Sequence, residues 1–109
     1  MKYVLLIGLD ECDVPEEIAR HGCGGWGAEM ARRGVVRGGA GLGPAAQAVT
    51  VRVRDGDTLV SDGPFAETKD QIGGFVLIEC ADLEEAVEIA AAHPVARYGS
   101  IEIRPVLEP

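Results

Sequence analysis

Apolar and polar positions change their rhythm several times along the chain. Tyr3 to Leu9 is almost continuously apolar, which predicts a buried strand. A helix is expected next. Asp13 and Glu16 have capping-box spacing, Pro15 falls in the first turn, and Glu17 adds negative charge at the positive end of the dipole. Ile18, Trp26 and Met30 form its apolar stripe, and Arg32-Arg33-Gly34 its end. Gly22, Gly24, Gly25 and Gly27 interrupt it, so it is broken, starts late, or lets another backbone or a ligand come close. Val35 to Gln47 reads as a short strand running into a glycine-rich loop.

From Ala48 to Val60 the period is two. Val49, Val51 and Val53 alternate with Thr50, Arg52 and Arg54, and Asp55-Gly56 is a two-residue turn signal. That hairpin register sets Arg54 opposite Asp57 and Arg52 opposite Leu59. The strand must end at Asp62-Gly63-Pro64, and a loop rich in functional groups should follow to about Gly73. Gly73-Gly74 is expected to open the next strand, Phe75 to Cys80. Asp82 and Glu85 form a second capping box, with Leu83, Ala86, Val87, Ala90 and Ala91 as the apolar face of a helix that Pro94 stops. Tyr98 to Val106 is the last strand.

The order is β-α-β, hairpin, β-α-β. It predicts one α+β domain over residues 1–109, a ferredoxin-like sheet with its helices on one face. The other face needs a cover, and Ile101, Ile103 and Phe75 are expected on it. A second copy related by two-fold symmetry would bury that face and leave a cavity between the sheets.

Composition narrows the function classes. With 10 basic and 18 acidic residues the net charge is −8, which disfavours nucleic acid and anionic membranes as partners. No run approaches the ~20 apolar residues of a membrane span, and the first apolar run lacks a cleavage pattern. Cys12, Cys23 and Cys80 have no C-x-x-C spacing, so reduced thiols and a cytoplasmic location are expected. The two histidines, His21 and His93, carry no metal-ligand spacing, so neither a metal nor a cofactor is expected. The Gly39-Ala40-Gly41 stretch lacks the lysine and context of a phosphate-binding loop. Covalent catalysis has no support, since Ser61 and Ser100 lack an elbow motif and the cysteines lack a basic pair nearby.

Each remaining candidate carries two readings. Asp62 can act as a general base or fix the Gly63-Pro64 turn. Phe65 can line a pocket or anchor the core; Glu67 and Lys69 can be an acid/base or anion-holding pair, or two solvated charges. Gln71 can offer an amide to a substrate. His93 can move a proton near neutral pH or complement a helix C-terminus. Arg52 and Arg104 can hold a carboxylate or pair with acids such as Glu79 or Glu102. Trp26 can wall a pocket or fill the core.

The segment Asp62-Gly63-Pro64-Phe65-Ala66-Glu67-Thr68-Lys69-Asp70-Gln71-Ile72-Gly73-Gly74-Phe75 resembles the signature of the DGPF family, within the wider YCII-related (YciI-like) group. Met1 to Ile7, Val51 to Gly56, Leu83 to Ala86 and Ser100 to Val106 are similar to that family as well. The resemblance implies a bacterial protein with a ferredoxin-like fold, paired as a dimeric α/β barrel. It also implies occasional association with extracytoplasmic-function sigma factors. In the YciI-like branch a helix-one histidine and an aspartate before a proline are proposed as a catalytic dyad; here His93 precedes Pro94, and helix one offers His21 and Cys23. The expected function is a small-molecule-binding homodimer, or an enzyme doing non-covalent acid/base chemistry on a small organic substrate. Asp62 or His93 would move the proton and Arg52 or Arg104 would hold an acidic group. A regulatory module without chemistry, working beside a sigma factor, is the alternative; a signature that only builds the dimer interface is a third.

Overall fold

The computed structural model describes residues 1–10, 25–43, 45–63 and 70–107. The Asp13/Glu16 capping box, Ile18, His21, Cys12, Cys23, Phe65, Glu67 and Lys69 lie outside them.

Six strands and two helices are described. In chain order they are β1 (Lys2–Asp10), α1 (Trp26–Arg32), β2 (Val36–Gly41), β3 (Val49–Arg54), β4 (Asp57–Asp62), β5 (Asp70–Glu79), α2 (Leu83–Ala91) and β6 (Ser100–Pro105). Short 3-10 turns cover Ala45–Gln47 and Pro94–Arg97. Four strands form an antiparallel sheet in the order β2-β5-β1-β6. Thus β1 and β2 run parallel with β5 between them, while β5 and β6 run parallel with β1 between them. This arrangement of two interleaved β-α-β units is compatible with the expected ferredoxin-like fold. β3 and β4 make a separate two-stranded sheet.

The register fixes which face each side chain takes. Tyr3, Leu5 and Ile7 alternate onto the helix side, where Tyr3 sits opposite Ile78 and Leu5 opposite Val76. Trp26 and Met30 of α1 and Ala86, Ile89 and Ala90 of α2 join Tyr3, Leu5 and Ile78 in one core cluster. Ile101 pairs with Ile7 and Ile103 with Leu5, so both belong to this covered side. The expectation that they lie on the open face is therefore corrected: the two-residue period puts Ser100, Glu102 and Arg104 there instead. Phe75, opposite Leu6, does lie on the open face, with Val4 and Leu77 beside it.

Two boundaries and one helix face differ from expectation. β5 begins at Asp70, because β1 runs on to Asp10 and supplies it with a partner. A register shift between Ile7 and Gly8 absorbs one residue of β5 within its glycines. Gly74 marks close approach of β2, since a Cβ there would stand 3.1 Å from the Ala40 carbonyl oxygen. The buried stripe of α2 is Ala86, Ile89 and Ala90, continued by His93, whereas Leu83 and Val87 are about half exposed. Tyr98 falls in the turn before β6, not in the strand.

The caps follow the sequence. The Asp82 side chain accepts from the Glu85 N–H at 2.9 Å, and Glu85 Oε1 reaches back to the Ala81 N–H at 3.4 Å. Gly34 follows the end of α1, where Val35 N–H reaches back to the Met30 carbonyl. The hairpin turn has φ +52° at Asp55 and +82° at Gly56, the doubly left-handed geometry that Asp-Gly favours. Arg54 faces Asp57 and Arg52 faces Leu59, as expected.

Candidate functional site

Two aromatic rings join the ends of the two helices. Trp26 opens α1 and is buried; its Nε1–H donates to the Ile89 carbonyl oxygen at 2.9 Å. That carbonyl lies in the last turn of α2, where the next available donor, the His93 N–H, turns to Ala90 instead. Trp26 therefore caps an orphan of the helix C-terminus. The His93 ring meets Trp26 edge-on, with centroids 4.8 Å apart and planes at 62°.

His93 is 1% exposed. Its Nδ1 accepts from the Val95 N–H at 3.0 Å, so the ring starts the 3-10 turn at Pro94–Arg97. Nδ1 is then the unprotonated nitrogen, and the neutral ring carries its hydrogen on Nε2. Burial lowers the pKa from its ordinary value. A proton arriving at Nδ1 would displace the Val95 bond. His93 thus caps the turn that follows α2.

Asp62 ends β4 and is exposed. Its carboxylate makes no hydrogen bond to any described group. The chain just after it is held by other means: Gly63 N–H donates to the Ala48 carbonyl at 2.8 Å, and Thr50 Oγ1 donates to the Gly63 carbonyl at 2.7 Å. Asp62 thus stands on the hairpin with an available carboxylate, while His93 is enclosed in the core beneath the other sheet; the described residues do not bring these two together.

Arg104 lies on the open face, next to Val4, and pairs with Glu102 at 3.5 Å; both side chains are largely exposed. Such a pair is weak and easily exchanged for another anion. Glu79 is held by Arg37 at 3.1 Å. Arg52 projects from the exposed hairpin, opposite Leu59. Cys80 is buried, and burial followed by the Glu85 carboxylate raises its thiol pKa, which disfavours the thiolate. Among the described residues no group of three His, Cys, Asp or Glu side chains is placed to hold a metal, and no helix is long and apolar enough to cross a membrane.

The Trp26–Ile89 bond was missed in the sequence because its partners are 63 residues apart. The apolar half of the open face had a signal. Val4-Leu5-Leu6-Ile7 is apolar at consecutive positions, the pattern of a strand covered on both sides.

The comparison with known proteins agrees with this architecture. The model of the YCII-related domain matches residues 1–109. An uncharacterised protein of Rhizobium meliloti (strain 1021) is 49% identical over 71 residues, 62% of this chain. The match spans 56% of that relative's own length. The chain belongs to the YCII-related domain family.

Proposed function

We propose that this protein, as a DGPF-type member of its family, works as a homodimer that binds a small acidic organic molecule. One observation carries the reading. β1 and β5 are apolar on both faces, yet the helices cover only one. Val4, Leu6 and Leu77 are only half-buried on the other, and Phe75 is 38% exposed there. Lys2, Glu79, Glu102 and Arg104 rim this apolar centre, the layout of a protein interface. A second copy has the same surface and closes it by two-fold symmetry.

The polar groups that this reading assigns to a ligand are Asp62, Arg104 and Arg52. Arg104 supplies charge for a carboxylate and Asp62 a proton acceptor, while Arg52 stands on the hairpin face opposite Asp62 and adds charge from there. If the bound molecule is turned over, the step is a non-covalent proton transfer to the Asp62 carboxylate. His93, neutral and committed at Nδ1, positions the turn after α2. Phe65, Glu67 and Lys69, further along the same sequence segment, are the side chains this reading adds to the site.

The test is an NMR titration of the wild type and of Asp62→Asn with a panel of small carboxylic acids. Shifts at Asp62 and Arg104 in the wild type, weakened at least tenfold in affinity by Asp62→Asn, are expected. A panel that perturbs neither residue at millimolar concentration contradicts the ligand reading.

A further inference from the structure

The sequence holds two Asp-Gly pairs. Asp55-Gly56 forms the tip of the β3–β4 hairpin, and Asp62-Gly63 stands where β4 ends. An aspartate before a glycine is open to one intramolecular reaction, because glycine has no side chain to hinder its own nitrogen. That nitrogen attacks the aspartate side-chain carboxyl carbon. A C–N bond forms, and the amide proton leaves with a carboxyl oxygen as water. The five-membered succinimide then takes a water back. If the new bond breaks, aspartate returns. If the original peptide bond breaks, the chain runs on through the side chain as isoaspartate. The net change is an isomerisation, and no oxidant, cofactor or partner enters it.

The two pairs are placed differently for this step. Asp55 and Gly56 are exposed, and the Gly56 N–H makes no hydrogen bond to any described group. The Gly63 N–H is committed to the Ala48 carbonyl at 2.8 Å, and the Gly63 carbonyl to Thr50 Oγ1 at 2.7 Å. Conformation separates the pairs further. The ring holds the aspartate ψ near about −120°, the value at the first central position of a type II′ turn. Asp55 already has the positive φ of that position, +52°. With Gly56 at +82° the turn is type I′, and one rotation of the peptide plane between them converts it to II′ while Arg54 stays opposite Asp57. Asp62 is a strand residue opposite Val49, so closure there must break the Gly63–Ala48 bond and twist the end of the ladder.

We propose that Asp55 is a site of spontaneous isoaspartate formation and that the fold shields Asp62 from the same reaction. Isoaspartate adds one carbon to the main chain of a two-residue turn. That turn sets the register of β3 on β4, so the modification loosens the hairpin. Neither the dimer nor a ligand takes part in this chemistry.

The experiment ages full-length wild type at mildly acidic pH and physiological temperature, folded in one arm and unfolded in urea in the other. Electron-transfer fragmentation of a proteolytic peptide carrying both pairs locates isoaspartate, which it cleaves between Cα and Cβ. In the folded protein isoaspartate is expected at position 55 at least tenfold faster than at position 62, and in urea the two rates should come within threefold of each other. Equal rates in the folded protein, or a faster rate at 62, overturn the proposal. A tenfold preference that persists in urea overturns it too, since the neighbouring sequence and not the fold would then decide. So does a folded protein that forms isoaspartate at neither position while the unfolded chain forms it at both.

Discussion

At the scale of single residues, His93 and Trp26 set how α2 ends. Replacing His93 by alanine removes a ring from the core and leaves the Val95 N–H without its acceptor, a loss of roughly 2–4 kcal/mol. His93→Asn retains a side-chain acceptor and should recover part of that loss, measured by urea unfolding. The pH dependence has a definite sign. Burial depresses the pKa of His93 from its ordinary 6.5, so near that pH the unfolded chain holds the proton more tightly than the folded one. The stability contributed by the neutral ring is present above 6.5 and is lost as pH falls through the lower folded value. The unfolding midpoint should drop between pH 7 and pH 5 in the wild type and drop less in His93→Asn; equal drops would remove this role. Trp26→Phe keeps the aromatic ring but strands the Ile89 carbonyl, at a cost of about 1–2 kcal/mol in the same unfolding assay. The position of His93 just before Pro94 was legible, but its chemistry was not. A local pattern cannot show that the ring turns inward onto Trp26.

At the scale of elements, local chemistry determined more. The Asp55-Gly56 turn and the valine alternation place β3 against β4 in the observed register, because turn geometry and period leave one solution. Asp82 and Glu85 likewise locate the start of α2. The failures came where neighbours decide. β5 starts early because β1 extends to meet it, and the apolar face of α2 is turned toward Ile89 by the sheet beneath. Ile101 and Ile103 were assigned to the wrong side because a strand with alternating side chains has two possible registers until its partner is known. β2 depends on close backbone approach: a Cβ at Gly39 would lie 2.5 Å from the Phe75 carbonyl oxygen, at φ +150°. Gly39→Ala should destabilise the protein by about 2–3 kcal/mol and loosen β2, seen as faster amide exchange at Ala40 and Gly41. Unchanged exchange and stability would contradict that geometry.

At the scale of the whole molecule, the described chain is a slab 47 × 40 × 18 Å, with a thickness suited to one sheet and one helix layer. The doubly apolar β1 and β5 need a third layer, which a second copy supplies in the proposed dimer. The family and the element order were readable from the whole chain; the dimer and its ligand were readable only as expectations, since no single chain shows what covers its open face. The most direct test of the proposed assembly is sedimentation equilibrium of the wild type and of Phe75→Lys at micromolar concentration. A wild-type mass of about 23 kDa, twice the 11.5 kDa chain, with a folded monomer for Phe75→Lys, is expected. A folded wild type that stays at 11.5 kDa contradicts it.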